Sequence, residues 1–167
     1  FALLPDGDIL ITEKPGSLRI VRQGRLLATP VAGLPPVAAR GQGGLLDIAL
    51  HPDFADNRLV YLTIATGTPE ANRTALVRGR LEDHALRDAT IIFQNADPKS
   101  GGQHFGSRLV WMPDKSLLMS IGDGGNPPTR FGDGNIRDQA QNLGAQFGKV
   151  LRLKDDGAPH PDNPFLN

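Results

Sequence analysis

The chain has 167 residues, enough for one domain to bury about 70% of its unfolded surface. Its eighteen basic and eighteen acidic residues cancel, with no basic stripe or like-charged run to support nucleic acid or an anionic membrane as a partner. It has no cysteine, which excludes disulfides and thiolate metal sites, and no apolar run approaches the about 20 residues of a transmembrane helix.

A small neutral ligand fits this composition better. The chain opens on Phe1, in FALL, with neither an initiator methionine nor a signal peptide, and is expected to be trimmed. Twenty glycines and fourteen prolines interrupt short β-branched and leucine runs, a pattern of many short strands joined by turns. ALLPDGDILITE predicts a hairpin near residues 1–13, followed by strands in SLRIVRQG and RLLATPV. IALHPDFADNRLVYLTIA predicts a second near 45–65, followed by ALVRGRLE and ATIIFQ. LVWMPDKSLLMSIGD predicts a third near 107–123. Next comes the one helical pattern, Asn135 to Gln146, where Ile136, Ala140 and Leu143 are helically spaced and Gly144 can end the helix. GKVLRLKDDG then supplies one more strand.

Each hairpin carries a Pro-Asp at its expected tip, where proline presets φ and aspartate caps its own turn. The pairs Pro5-Asp6, Pro52-Asp53 and Pro113-Asp114 are 47 and then 61 residues apart, near the about 40 to 50 residues of a four-stranded propeller blade. The expected fold is all-β: residues 1–167 form the N-terminal part of a single β-propeller domain, about three blades, with no second domain. A two-sheet sandwich accounts for the strand count but not for the repeat. Three blades do not close a ring, so open blade edges are expected to favour self-association.

In a blade the first strand lies nearest the axis and the second runs back beside it, so residues before the first and after the second share one face of the disc. His104 precedes the third hairpin and Asp123 follows it. Nine residues separate His104 from Pro113, and nine separate Asp114 from Asp123, which makes the two cross-strand neighbours in a regular hairpin. Gln42, ten residues before Pro52, is expected in nearly the same place one blade earlier. Neutral His104 can take a proton from a hydroxyl, Asp123 can orient the imidazole, and the Gln42 amide can position a sugar or cofactor oxygen. The same residues also read as turn formers: His104 beside glycines, Asp123 in IGDGG, Gln42 in ARGQGG. His51 is expected at the opposite face, His84 and His160 in loops, and none has metal-ligand spacing. FGDGN and KDDG read as turns rather than calcium loops. No G-x-S-x-G elbow is present.

GQGGLLDIALHPDF, GGQHFGSRLVWMPD, SIGDGG and GKVLRLKDDGAPHPDNPF, in this order, resemble the soluble quinoprotein glucose/sorbosone dehydrogenases, also called aldose sugar dehydrogenases. The resemblance implies a six-bladed β-propeller, pyrroloquinoline quinone (PQQ) over the axial channel, calcium, an external electron acceptor and a periplasmic or secreted location. It assigns His104 as the base that takes the anomeric hydroxyl proton while hydride passes from C1 to the quinone, giving the lactone. Asp123 matches the supporting carboxylate and Gln42 the glutamine beside it, in contact with cofactor and substrate. Gln103 stands where glucose-oxidising members carry aspartate, which implies the broader aldose branch. The family's other PQQ contacts and its calcium ligands lie beyond the equivalent of Asn167. A non-redox carbohydrate-binding propeller and a calcium-dependent lactonase are the alternatives.

Overall fold

A computed structural model describes residues 1–125 and 129–165. Strands β1 (Ala2–Leu3), β2 (Ile9–Glu13), β3 (Ser17–Arg22) and β4 (Arg25–Leu26) form one antiparallel sheet in chain order. Strands β5 (Leu45–Leu50), β6 (Leu59–Gly67), β7 (Asn72–Glu82) and β8 (Ala85–Gln94) form a second. The third sheet begins with β9 (Gly106–Trp111) and β10 (Leu117–Ile121). A small hairpin, β11 (Arg130–Phe131) and β12 (Gly134–Asn135), then interrupts it before β13 (Lys149–Leu153) pairs with β10. Each sheet is a meander, and β5 lies against β2 on one side and β9 on the other. This is the stacking of consecutive β-propeller blades.

The middle blade explains the pattern of its sequence. In LVYLTIATG, Val60, Leu62 and Ile64 pack towards the first blade with Leu10, Leu18 and Ile20. Tyr61 packs the other way, with Leu109, Leu117 and Met119 of the third. A strand covered on both faces reads as one apolar run instead of alternating. In the third blade Leu109, Met119 and Leu117 are buried, while Val110 and Val150 on the opposite face are exposed.

The Pro-Asp turns differ from the expected two-residue tips. At Pro5-Asp6 and Pro113-Asp114 the loop has three residues, the last left-handed: Gly7 at φ 89° and Lys115 at φ 63°. Asp6 and Asp114 each accept the N–H two residues on, at 3.1 and 2.9 Å, the short-range bond that makes aspartate a turn residue. Pro52-Asp53 instead opens a loop with one helical turn, Phe54–Asn57, ended by Arg58 at φ 58°. The expected helix is shorter and tighter than its pattern, a 3₁₀ segment over Ile136–Gln141 with Ile136 buried. Asn135 N–H donates to Asp138 at its start, and it ends at Asn142, before Gly144. The β11–β12 hairpin was not expected, since FGDGN reads only as a turn.

Candidate active site

Three segments meet at the ends of the sheets away from the Pro-Asp turns. They are residues 40–44 entering β5, 101–105 entering β9 and 122–125 leaving β10. The two entry loops are joined by Gln42 N–H to the Gly102 carbonyl at 2.6 Å, and β10 closes on β9 through Gly122 N–H to the Phe105 carbonyl at 3.2 Å. A side chain at Gly122 would run into the His104 carbonyl, so only glycine allows this approach.

Within that corner His104 Nδ1 lies 2.6 Å from Asp123 Oδ1. His104 N–H donates to Gln42 Oε1 at 2.9 Å, and Gly125 N–H donates to Asp123 Oδ1 at 3.2 Å. All three residues singled out in the sequence therefore converge. The hairpin linking His104 to Asp123 is nevertheless irregular. The three-residue turn pairs Leu117 with Trp111 and Met119 with Leu109, one residue out of step with a two-residue turn. A bulge then sets Ser107 and Arg108 against Ser120, and Ile121 pairs with Gly106, which moves the register back by one. Bulges bend a strand and re-aim its side chains. Here His104 at φ 48° and Ser107 at φ 87° take left-handed backbone, a conformation non-glycine residues adopt at a cost and often at functional sites.

The same bulge occurs in the second blade, where Leu45 pairs with Ile64 but Ile48 with Leu62. Matching the two bulges aligns Leu45 with Gly106, hence Gly43 with His104 and Gln42 with Gln103. Gln42 thus sits one residue from the expected equivalence and meets His104 through its backbone N–H.

The electrostatics fix the proton. The hydrogen bond from His104, helped by the Gly125 N–H, holds the Asp123 carboxyl below the usual carboxylate range. An ionised carboxylate can only accept, so Nδ1 carries the hydrogen, and in the neutral ring the lone pair is on Nε2. With the side chain two-fifths exposed, this imidazole can act as a base towards solvent-side ligands. Gln42 spends Oε1 on His104 and keeps its amide nitrogen to donate.

Several neighbours escape sequence reasoning. Arg137 donates to the Gly125 carbonyl at 3.2 Å and adds positive charge near Asp123. Lys99 is 5% exposed, with Nζ 3.9 Å from the Phe105 ring centroid. Burial lowers its amine to about 8. Lys99 and Phe105 stand only six residues apart, but a lysine and a phenylalanine in a glycine-rich loop carry no signal that one will cover the other. His51 lies at the turn end of its hairpin, accepting the Asp53 N–H at 3.0 Å and edge-on to Trp111 at 5.1 Å. His84 meets Arg22, and His160 accepts from Asp162. Among the described residues no three His, Cys, Asp or Glu side chains cluster as a metal site, and no helix is long and apolar enough to cross a membrane.

The glucose/sorbosone dehydrogenase family model matches residues 1–167. The chain is 38% identical to aldose sugar dehydrogenase YliI of Escherichia coli over 99% of its own length and 43% of the relative's. It is 30% identical to quinoprotein glucose dehydrogenase B of Acinetobacter calcoaceticus over 98% of its length and 38% of the relative's, so it spans about two-fifths of the curated relatives it matches. Among solved structures, the apo-form of the soluble aldose sugar dehydrogenase of E. coli superposes with a TM-score of 0.87 at 37% identity, covering 99% of this chain and 46% of that one. The PQQ-bound aldose sugar dehydrogenase of Streptomyces coelicolor gives 0.78 at 30% identity, covering 98% and 46%. A whole-length family match and two propeller structures that superpose on nearly all of the chain agree: this chain belongs to the glucose/sorbosone dehydrogenase family.

Proposed function

We propose that the full-length protein is a PQQ-dependent aldose dehydrogenase, oxidising the sugar at C1 to the lactone, with His104 as the base. The observation that carries this reading is the 2.6 Å contact from His104 Nδ1 to an ionised Asp123, which leaves Nε2 as the acceptor. In the reaction Nε2 takes the proton of the anomeric hydroxyl, C1 loses its hydrogen with two electrons, and the C1–O1 bond becomes the lactone carbonyl. Asp123 stabilises the imidazolium and keeps the ring oriented. Gln42 holds its neighbour in place through Oε1 and offers its amide hydrogens to an oxygen of sugar or cofactor.

The residues present fit part of a PQQ site. The Gln42 amide is a donor, and the exposed cations Lys14 and Arg40 flank its loop, which suits a tricarboxylate. When bound, PQQ supplies a two-electron acceptor for the C1 hydride. No three acidic or histidine side chains cluster for calcium among the described residues, and calcium enters no step. A periplasmic or secreted location and an external electron acceptor belong to the same reading. The test is dye reduction by the full-length protein, reconstituted with PQQ and calcium, over a panel of aldoses. Turnover with lactone as product supports the reading, and no turnover on any sugar overturns it.

A further inference from the structure

The bulge that aligns His104 with Asp123 is held from the neighbouring blade. Thr63, buried on β6, donates its hydroxyl to the Ser107 carbonyl at 2.9 Å and accepts the Asp47 N–H at 2.9 Å. One hydroxyl thus joins the bulges of two blades. Asp47 Oδ2 in turn accepts the Leu109 N–H at 2.8 Å, and Thr74 donates to the Phe105 carbonyl at 3.2 Å. With Gln42 on His104 N–H, the β9 backbone from 104 to 109 is fastened by side chains of the second blade at four points.

We propose that Thr63 and Asp47 are positioning residues for the His104–Asp123 pair, acting by keeping the β9 bulge. This rests on the reading of His104 as the base. If the bulge regularised, the register set at the Pro113 turn would run on, placing His104 opposite Gly124 and Phe105 opposite Asp123. A slip of one residue sends each side chain to the other face. Thr63→Val keeps the shape but strands a buried carbonyl and a part-buried N–H, both of which need partners. The first blade repeats the link, since Thr12 donates to the Leu46 carbonyl at 2.7 Å. That bond fastens the bulge that carries Asp47, one step further from His104, so Thr12→Val reports how the effect of a lost tie falls off along the chain of bulges.

The experiment compares full-length Thr63→Val, Thr63→Ser, Thr12→Val and Asp47→Ala with the parent, using two readouts. The first is the low-field proton resonance of the His104 Nδ1–H, assigned by its loss in His104→Gln and needing no cofactor. The second is kcat and KM in the PQQ-reconstituted protein. Thr63→Val should lose the resonance and drop kcat by about 10- to 100-fold with KM little changed. Thr63→Ser should restore both, and Thr12→Val should lose less of each than Thr63→Val. If Thr63→Val fails to fold, Asp47→Ala carries the same expectation. Retention of resonance and rate in Thr63→Val or Asp47→Ala, to the level of the parent, overturns the proposal. If His104→Gln itself keeps turnover, the base assignment falls while the resonance still decides the positioning role.

Discussion

His104 lies 2.6 Å from Asp123 because two one-residue offsets in the hairpin between them cancel. The Pro113–Lys115 turn introduces one and the Ser107–Arg108 bulge removes it. The pair depends on loop chemistry at one end of the blade and on a backbone irregularity at the other, held by the adjacent blade.

Asp123 is expected to act through its charge. Asp123→Asn can still accept the Nδ1 hydrogen but cannot stabilise an imidazolium, so kcat should fall about 10²-fold or more. The carboxyl is held below its unfolded value, so its contribution to stability is present above about pH 4 and lost as pH falls through the folded value. Thermal melts of parent and variant should therefore differ at pH 7, begin to converge below about pH 4 and meet only once pH has fallen through the folded value. A gap that persists at low pH, with a parental rate at pH 7, rejects both parts.

Gly122 is expected to tolerate no side chain. Gly122→Ala drives a Cβ into the His104 carbonyl, and overpacking of this kind costs about 1–3 kcal/mol. Melting temperature and kcat should both drop. Parental values for both would show that the β10 exit can move aside without disturbing the base.

Lys99 gives a pH signature of the same sign in a more alkaline window. Burial lowers its amine from 10.5 to about 8, so between those values the unfolded chain binds more protons than the folded one. Stability from this group accordingly rises with pH across the window. Below about pH 8 the folded protein carries a buried ammonium whose Nζ has no hydrogen-bond partner among the described residues and lies over the Phe105 ring. Lys99→Met should raise the melting temperature at pH 7, with the advantage shrinking by pH 9.5. An advantage equal at both pH values would mean that the amine is not desolvated.

Much of this architecture was legible in the sequence. The Pro-Asp repeat marks the hairpins, because proline and aspartate have few other uses between alternating apolar runs, and each blade's strands follow. The His104–Asp123 pairing was found by counting from a two-residue turn. That count reached the right partner although the turn has three residues, since the bulge compensates. Neither irregularity was legible: Lys115 in left-handed backbone looks like any loop lysine, and Ser107 looks like any strand serine. Thr63 was hidden more deeply. Within LVYLTIATG a threonine reads as a β-branched strand former, and its role exists only through a contact 44 residues away. The second loop misled for a local reason: four extra residues after Pro52-Asp53 wind into a single helical turn.

The account turns on His104 as the proton acceptor, and the most direct test is kcat of His104→Gln in the full-length protein reconstituted with PQQ and calcium. The account predicts a fall of about 10² to 10⁴ with circular dichroism and melting temperature close to the parent. A near-parental kcat in a folded variant would contradict it.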